Sequence, residues 1–167
     1  MEQWDIYDRQ GNLTGRVKKK HAVLAPGEFH LAMEAWIVNS NQQILVQKRS
    51  EQCEILPGKW ALTTGRMVAG EDSLSGCVRE IGEELGISVQ KKDIHFITRI
   101  FRTDLIWDLY WVKKDIAEDA CRLQAEEVAG VRWVTVSEFR RMMERGEMFC
   151  YPEIEDILDR IEQEAMK

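Results

Sequence analysis

The order of elements along this chain predicts an α/β fold, a mixed β-sheet with helices packed on both faces. Three observations predict it. Strand-like apolar runs cluster at 29–39 and 44–49, and again at 94–102 and 105–113. Between the two groups, residues 72–85 carry the apolar period of a helix. Two further helical patterns, 137–147 and 152–166, follow them. The 167 residues, 44% hydrophobic and 31% charged, suit one globular domain that buries its core without staples. The expected organisation is a single domain over 1–167, with a strand extension at about 1–28 and a terminal helix at about 152–166.

Each element has its own warrant. QWDIY, 3–7, reads as a short strand. The next stretch, DRQGNLTGRV, carries two turn signals, Gln10-Gly11-Asn12 and Thr14-Gly15, and Ala25-Pro26-Gly27 marks another. FHLAMEAWIVN reads as a strand that Asn39-Ser40-Asn41 turns into ILVQKR. Pro57-Gly58 breaks the chain before one short apolar strand, KWALT. From Asp72 onward, Leu74, Val78, Ile81 and Leu85 recur at i, i+4, i+7 and i+11 as one buried stripe, and Gly86 stops the helix. Strands at 94–102, 105–113 and 130–135 lead to a helix over 137–147. In the last helix Ile154, Ile157, Leu158 and Ile161 share a face, with Pro152 as its opener.

Composition excludes several classes. A net charge of −6 argues against a nucleic-acid partner, whose phosphates demand a basic surface, while a basic pocket for a small anion stays open. No apolar run approaches the roughly 18 residues of a membrane span. The opening Met-Glu-Gln-Trp-Asp lacks the basic and apolar regions of a secretion signal, so a cytoplasmic protein is expected. Cys53, Cys77, Cys121 and Cys150 are scattered, with no C-x-x-C pair, and read as buried free thiols.

The informative stretch is GRMVAGEDSLSGCVREIGEELGI, 65–87. On a helix, Glu80, Glu83 and Glu84 fall within about 100° of one another, away from the apolar stripe. Three carboxylates on one face repel. Gly76 and Gly82 weaken the same helix by roughly 1 kcal/mol each relative to alanine. Stability alone does not favour this combination, and a divalent, oxygen-seeking cation resolves the repulsion.

The stretch resembles the Nudix box, G-x5-E-x7-R-E-U-x-E-E-x-G-U with U apolar, at Gly65, Glu71, Arg79, Glu80, Ile81, Glu83, Glu84, Gly86 and Ile87. Seven fixed residues make a chance match rarer than about one in a million. The resemblance extends in weaker form over 29–147. It implies a Nudix-type α/β/α sandwich with a mixed sheet, Mg²⁺ or Mn²⁺ as cofactor, and hydrolysis of a nucleoside diphosphate linked to another moiety. It further implies Glu80, Glu83 and Glu84 as metal ligands, Glu71 as a further ligand or a group supporting the ligands from behind, Arg79 as the group that orients the carboxylates, and Gly65 as a tight turn at the site. Clustered divalent ions would supply what substitution at phosphorus needs, an activated water and a neutralised leaving phosphate.

Family members often place another acid outside the box. Asp108, and Glu126 or Glu127, are the candidates for base or extra ligand. Glu127 is preferred because an acidic loop can close over a bound diphosphate. Arg49 and Lys48, with Gly65 and Arg66, form the candidate phosphate-binding set, and Trp107, Tyr110 and Trp111 are candidates for stacking a base. The flanks WDIYDRQGNLTG, KKKH, GEFHLAMEAWIVN and LPGKW are similar to the branch that includes isopentenyl diphosphate isomerase, which makes isomerisation a rival. That pattern has a cysteine before the box glycine and a histidine after it. Here Thr64 and Arg66 stand there, while His21 and His30 fall near its two upstream histidines. A non-catalytic nucleotide- or effector-binding module is the second rival, although such modules usually lose box carboxylates. A homodimer through the N-terminal strands or the terminal helix is compatible with this reading.

Overall fold

A computed structural model describes residues 2–167. Its elements run β1 (Gln3–Tyr7), β2 (Leu13–Lys19), β3 (His30–Val38), β4 (Gln43–Arg49), β5 (Trp60–Ala61), β6 (Thr63–Arg66), α1 (Ser73–Leu85), β7 (Ile94–Phe101), β8 (Leu105–Lys113), β9 (Val128–Thr135), α2 (Val136–Glu144) and α3 (Ile154–Glu164). β3 is the hub, and each of its residues is buried. It pairs in parallel with β8 from His30↔Leu105 to Val38↔Lys113. β7 continues the sheet antiparallel to β8. On its other edge the sheet forks. β3 meets β4 at Val38↔Ile44, beside their hairpin turn. Further along, β6 takes the edge of β3 over Ala32–Ala35, while β4 pairs with β5 and β9. The strand that opens the box motif therefore fills a fork in the sheet.

Both faces of β3 are covered, as its unbroken apolar run requires. On one face Met33, Ala35 and Ile37 pack with Cys77, Ile81 and Leu85 of α1. On the other, Ala32, Trp36 and Val38 pack with Phe139 of α2 and Ile154, Ile157, Leu158 and Ile161 of α3. This is the α/β/α sandwich with a mixed sheet. Asp72 caps α1 by accepting the Ser75 N–H at 2.7 Å, and Gly86 closes it in the left-handed region at φ 66°, where glycine carries no Cβ penalty.

The structure departs from the expectations in four places. Residues 13–19, where the only sequence signal is the Thr14-Gly15 turn, form β2. Leu13 and Val17 are exposed, so the strand lacks the alternation that would betray it; its partner β1 and the Asp8 carboxylate, which accepts from the Gln10 and Asn12 N–H groups at 2.9 Å, set the hairpin. KWALT divides in two, because its first half pairs with β4 and its second half with β3. The last helix starts at Ile154, with Pro152 in the preceding turn. Of the four free thiols only Cys77 is buried.

Candidate active site

The box residues meet where β6 lies against α1. Gly65 faces Glu80 so closely that a Cβ there would stand 2.3 Å from the Glu80 Cδ. Gly76 has a similar reason, since a Cβ would meet the Met67 sulfur at 1.9 Å, whereas a Cβ at Gly82 would meet only the Ile87 carbonyl at an ordinary 3.9 Å. The apparent helix weakness at Gly76 is thus the condition for close packing on the strand.

Arg79 is the hub of the carboxylates. Its Nε and Nη2 donate to the two oxygens of Glu71 at 2.7 and 2.8 Å. Its Nη1 donates to Glu80 at 2.9 Å and Glu83 at 3.1 Å, and its Nη2 reaches the Arg66 carbonyl at 3.4 Å. These bonds hold the guanidinium charged, well above its ordinary range. One cation stands among three carboxylates, so the group carries net negative charge.

Glu84 stands apart from its neighbours. The buried arc of α1 runs through Ser73, Cys77, Ile81, Glu84 and Leu85, rotated from the predicted Leu74–Leu85 stripe, so Glu84 is buried rather than on a solvated acidic face. It accepts from Gln47 Nε2 at 2.9 Å, and Gln47 in turn accepts from Thr63 at 2.8 Å. Burial pushes the Glu84 carboxyl up to about 8, and pushes Glu80 up to about 7.

The outlying acids separate. Glu127 raises the Glu84 carboxyl by its charge, and Arg49 lowers it, so both lie at that end of the site. The Glu127 carbonyl accepts from the Ser50 N–H at 2.9 Å and its N–H donates to Gln124, whose own N–H binds the Glu84 carbonyl at 3.0 Å. The expected loop free to close is an anchored turn. Glu126 is exposed. Asp108 has another employment: it is 2% exposed, bound by Arg99 through Nε and Nη2 at 2.6 and 2.9 Å, and takes the Ser73 hydroxyl at 2.5 Å. A carboxylate so engaged pins β7 to the start of α1.

The remaining candidates are dispersed. Arg49 donates its Nε to the Ile55 carbonyl at 2.8 Å. Lys48 pairs across from Trp60. Trp107 and Tyr110 belong to cores on opposite faces of the sheet, and Trp111 stacks on His95 at 4.0 Å, so the three do not form one platform. His30 is buried, and Arg66 Nη1 approaches its two ring nitrogens at 2.7 and 3.2 Å. Trp4 stacks on His30 at 4.0 Å and meets His21 edge-on at 5.7 Å. Sequence reading missed this Trp4–His30–Arg66 stack, because no spacing rule joins residues 4, 30 and 66.

Among the described residues, no three acidic, histidine or cysteine side chains converge as a ready metal cage, since Arg79 stands between the glutamates. The donor set still fits a hard divalent ion. It is all oxygen, it includes the Glu84 carboxyl, which is buried with a neutral amide as its partner, and the missing Cβ of Gly65 lets Glu80 lie directly against β6.

A strand–loop–helix of this kind, inset in a forked mixed sheet and carrying glutamates about one arginine, places the molecule among the layered α/β proteins. The chain belongs to the Nudix family: the NUDIX domain model matches residues 28–151. It is 36% identical over 159 residues to an uncharacterized Nudix hydrolase of Listeria monocytogenes serovar 1/2a, covering 90% of each chain. It is 28% identical over 149 residues to an isopentenyl-diphosphate Delta-isomerase of Pectobacterium atrosepticum, covering 86% of this chain and 83% of that one. The crystal structure of DR0079 from Deinococcus radiodurans shares the fold, with a TM-score of 0.77 at 16% identity, over 95% of this chain and 98% of that one.

Proposed function

We propose that this protein is a divalent-metal-dependent diphosphohydrolase that cleaves the phosphoanhydride of a nucleoside diphosphate derivative in the cytoplasm. The observation that carries the reading is the complete box set at one place, with Glu71, Glu80 and Glu83 gathered by Arg79 and Glu84 buried beside them. Glu80, Glu83, Glu84 and Glu71 would hold Mg²⁺ or Mn²⁺, which when bound neutralises phosphate charge and lowers the pKa of water. Arg79 keeps the carboxylates in place until they are called on. Glu127 takes the proton as the water oxygen bonds to phosphorus and the bridging P–O bond breaks. Arg49 and Arg66 draw the phosphates.

Two features weigh against the isomerase reading. Thr64 has no thiol for proton transfer, and His30 is occupied by Arg66. The test is a panel of nucleoside diphosphate derivatives with Mg²⁺ or Mn²⁺, analysed for phosphate-bearing products, with isopentenyl diphosphate alongside. Metal-dependent release of a nucleotide is expected, with isopentenyl diphosphate unchanged. Allylic diphosphate at an enzymic rate, with no nucleotide cleaved, would reverse the assignment.

A further inference from the structure

The N-terminal hairpin lies outside the segment that matches the NUDIX domain, which begins at residue 28. It is nonetheless built into the box. The Ala69 N–H donates to the Gln3 carbonyl and the Gly70 N–H to the Asp5 carboxylate, both at 2.7 Å. β1 thus braces the loop that carries Glu71. Its side chains reach further, to the residue just after Gly65. Trp4, 5% exposed, stacks on His30 at an interplanar angle of 12°, and the Arg66 guanidinium carbon stands 5.4 Å from the Trp4 ring centre.

Arg66 is unusually placed for a cation. Among the described residues only six of the thirteen arginines, Arg16, Arg79, Arg99, Arg102, Arg140 and Arg160, have a carboxylate partner, so what sets Arg66 apart is the pair of rings against it. Among the described residues Arg66 has none within 4 Å; Asp104 favours its charge from a distance. Its protein acceptor is His30, which burial and the nearby guanidinium keep neutral, down at about 4. The Arg66 side chain is exposed, so its guanidinium stays open to solvent and to a dissolved anion. Two buried rings hold it in one orientation, with most of its five donors unspent. That is the preorganisation of an anion-binding group.

We propose that Trp4 and His30 are positioning residues that fix Arg66 as a phosphate-binding group, so that the N-terminal hairpin is part of the substrate site. Arg66 grips a phosphate on the side of β6 opposite Glu80, since successive residues of a strand point to opposite faces. The inference rests on the diphosphohydrolase reading, but a diphosphate is the ligand chemistry in either case.

The test uses methylenediphosphonate, a diphosphate that water does not cleave, titrated calorimetrically into the whole protein with and without Mg²⁺. Arg66→Gln should weaken binding by about tenfold or more, the usual effect of losing a charge-assisted hydrogen bond. Trp4→Leu and His30→Gln should each weaken it severalfold, and Trp4→Phe, which restores a stacking ring, should recover most of the loss. On any hydrolysed substrate these variants should raise KM more than they lower kcat. Unchanged affinity in Arg66→Gln would overturn the anion site. A loss in Arg66→Gln with wild-type affinity in both Trp4→Leu and His30→Gln would overturn the positioning role. If one of these two fails to fold, the other with Trp4→Phe decides. Arg66-dependent binding by a protein that hydrolyses no nucleotide would sink the proposed activity and leave this site standing.

Discussion

Four residues carry the sharpest consequences. Glu83→Gln and Glu84→Gln each remove one charge and keep the shape, and each should lower kcat by at least about 10²-fold, since a bound metal supplies several kcal/mol at the transition state. Near-normal turnover in both, under saturating metal, would remove them as ligands. Gly65→Ala places a methyl group 2.3 Å from the Glu80 Cδ. A cost of about 1–3 kcal/mol in unfolding free energy is expected for that overpacking, with a further loss of turnover as Glu80 is displaced. Glu34 gives a pH signature away from the site. It is fully buried, accepts through Oε1 from Trp36 Nε1 at 2.9 Å and the Tyr151 hydroxyl at 2.6 Å, and burial pushes it up to about 8 from 4.5. A raised carboxyl stabilises below its unfolded value, and that contribution is lost as pH climbs through 8. The melting temperature should therefore fall between pH 5 and pH 9, and the fall should flatten in Glu34→Gln; equal slopes in the two proteins would dismiss the buried acid as its cause. At this scale, the box was legible because its residues act through short, fixed helix spacings. Glu34, the Arg66 stack and the engagement of Asp108 by Arg99 were not, because strand pairing, the docking of β1 and the return of Tyr151 from the far end of the chain bring those residues together.

Elements were legible in proportion to how fully they are buried on a regular period. β3 and α1 declare themselves, one as an unbroken apolar run and the other as a capped amphipathic helix. β2 does not, because it is held by its hairpin partner and by charge. Glu28 is where that charge acts: it accepts from Lys18 at 2.5 Å, Arg16 at 2.7 Å and the Ala25 N–H at 2.8 Å. The Lys18 bond is the largest of the causes that hold its carboxyl at about 2 against an ordinary 4.5. A depressed carboxyl stabilises above its unfolded value and loses that effect as pH falls toward the folded one. Between pH 4.5 and 2, β2 should loosen, with amide-exchange protection over Val17–Lys19 dropping faster than that over β3. Parallel decline in the two strands would show that Glu28 does not fasten the hairpin.

The molecule as a whole should register metal as added stability. A ligand that binds only the folded chain adds about 2.7 kcal/mol at a hundredfold excess over its Kd. Mg²⁺ or Mn²⁺ should raise the melting temperature of the wild type and do so much less in Glu84→Gln; no shift in the wild type at millimolar metal would count against the site. The pairing of β3 with β8 has a consequence for how the chain reaches this state. The hub joins residues 30–38 to residues 105–113, and contacts so distant in sequence slow folding because loop closure precedes any reward. On a ribosome, β3, β4 and β6 emerge well before β8. Until then one edge of the most apolar strand lacks its native partner. The interval between those two syntheses is when the nascent chain is most open to pairing with the wrong strand.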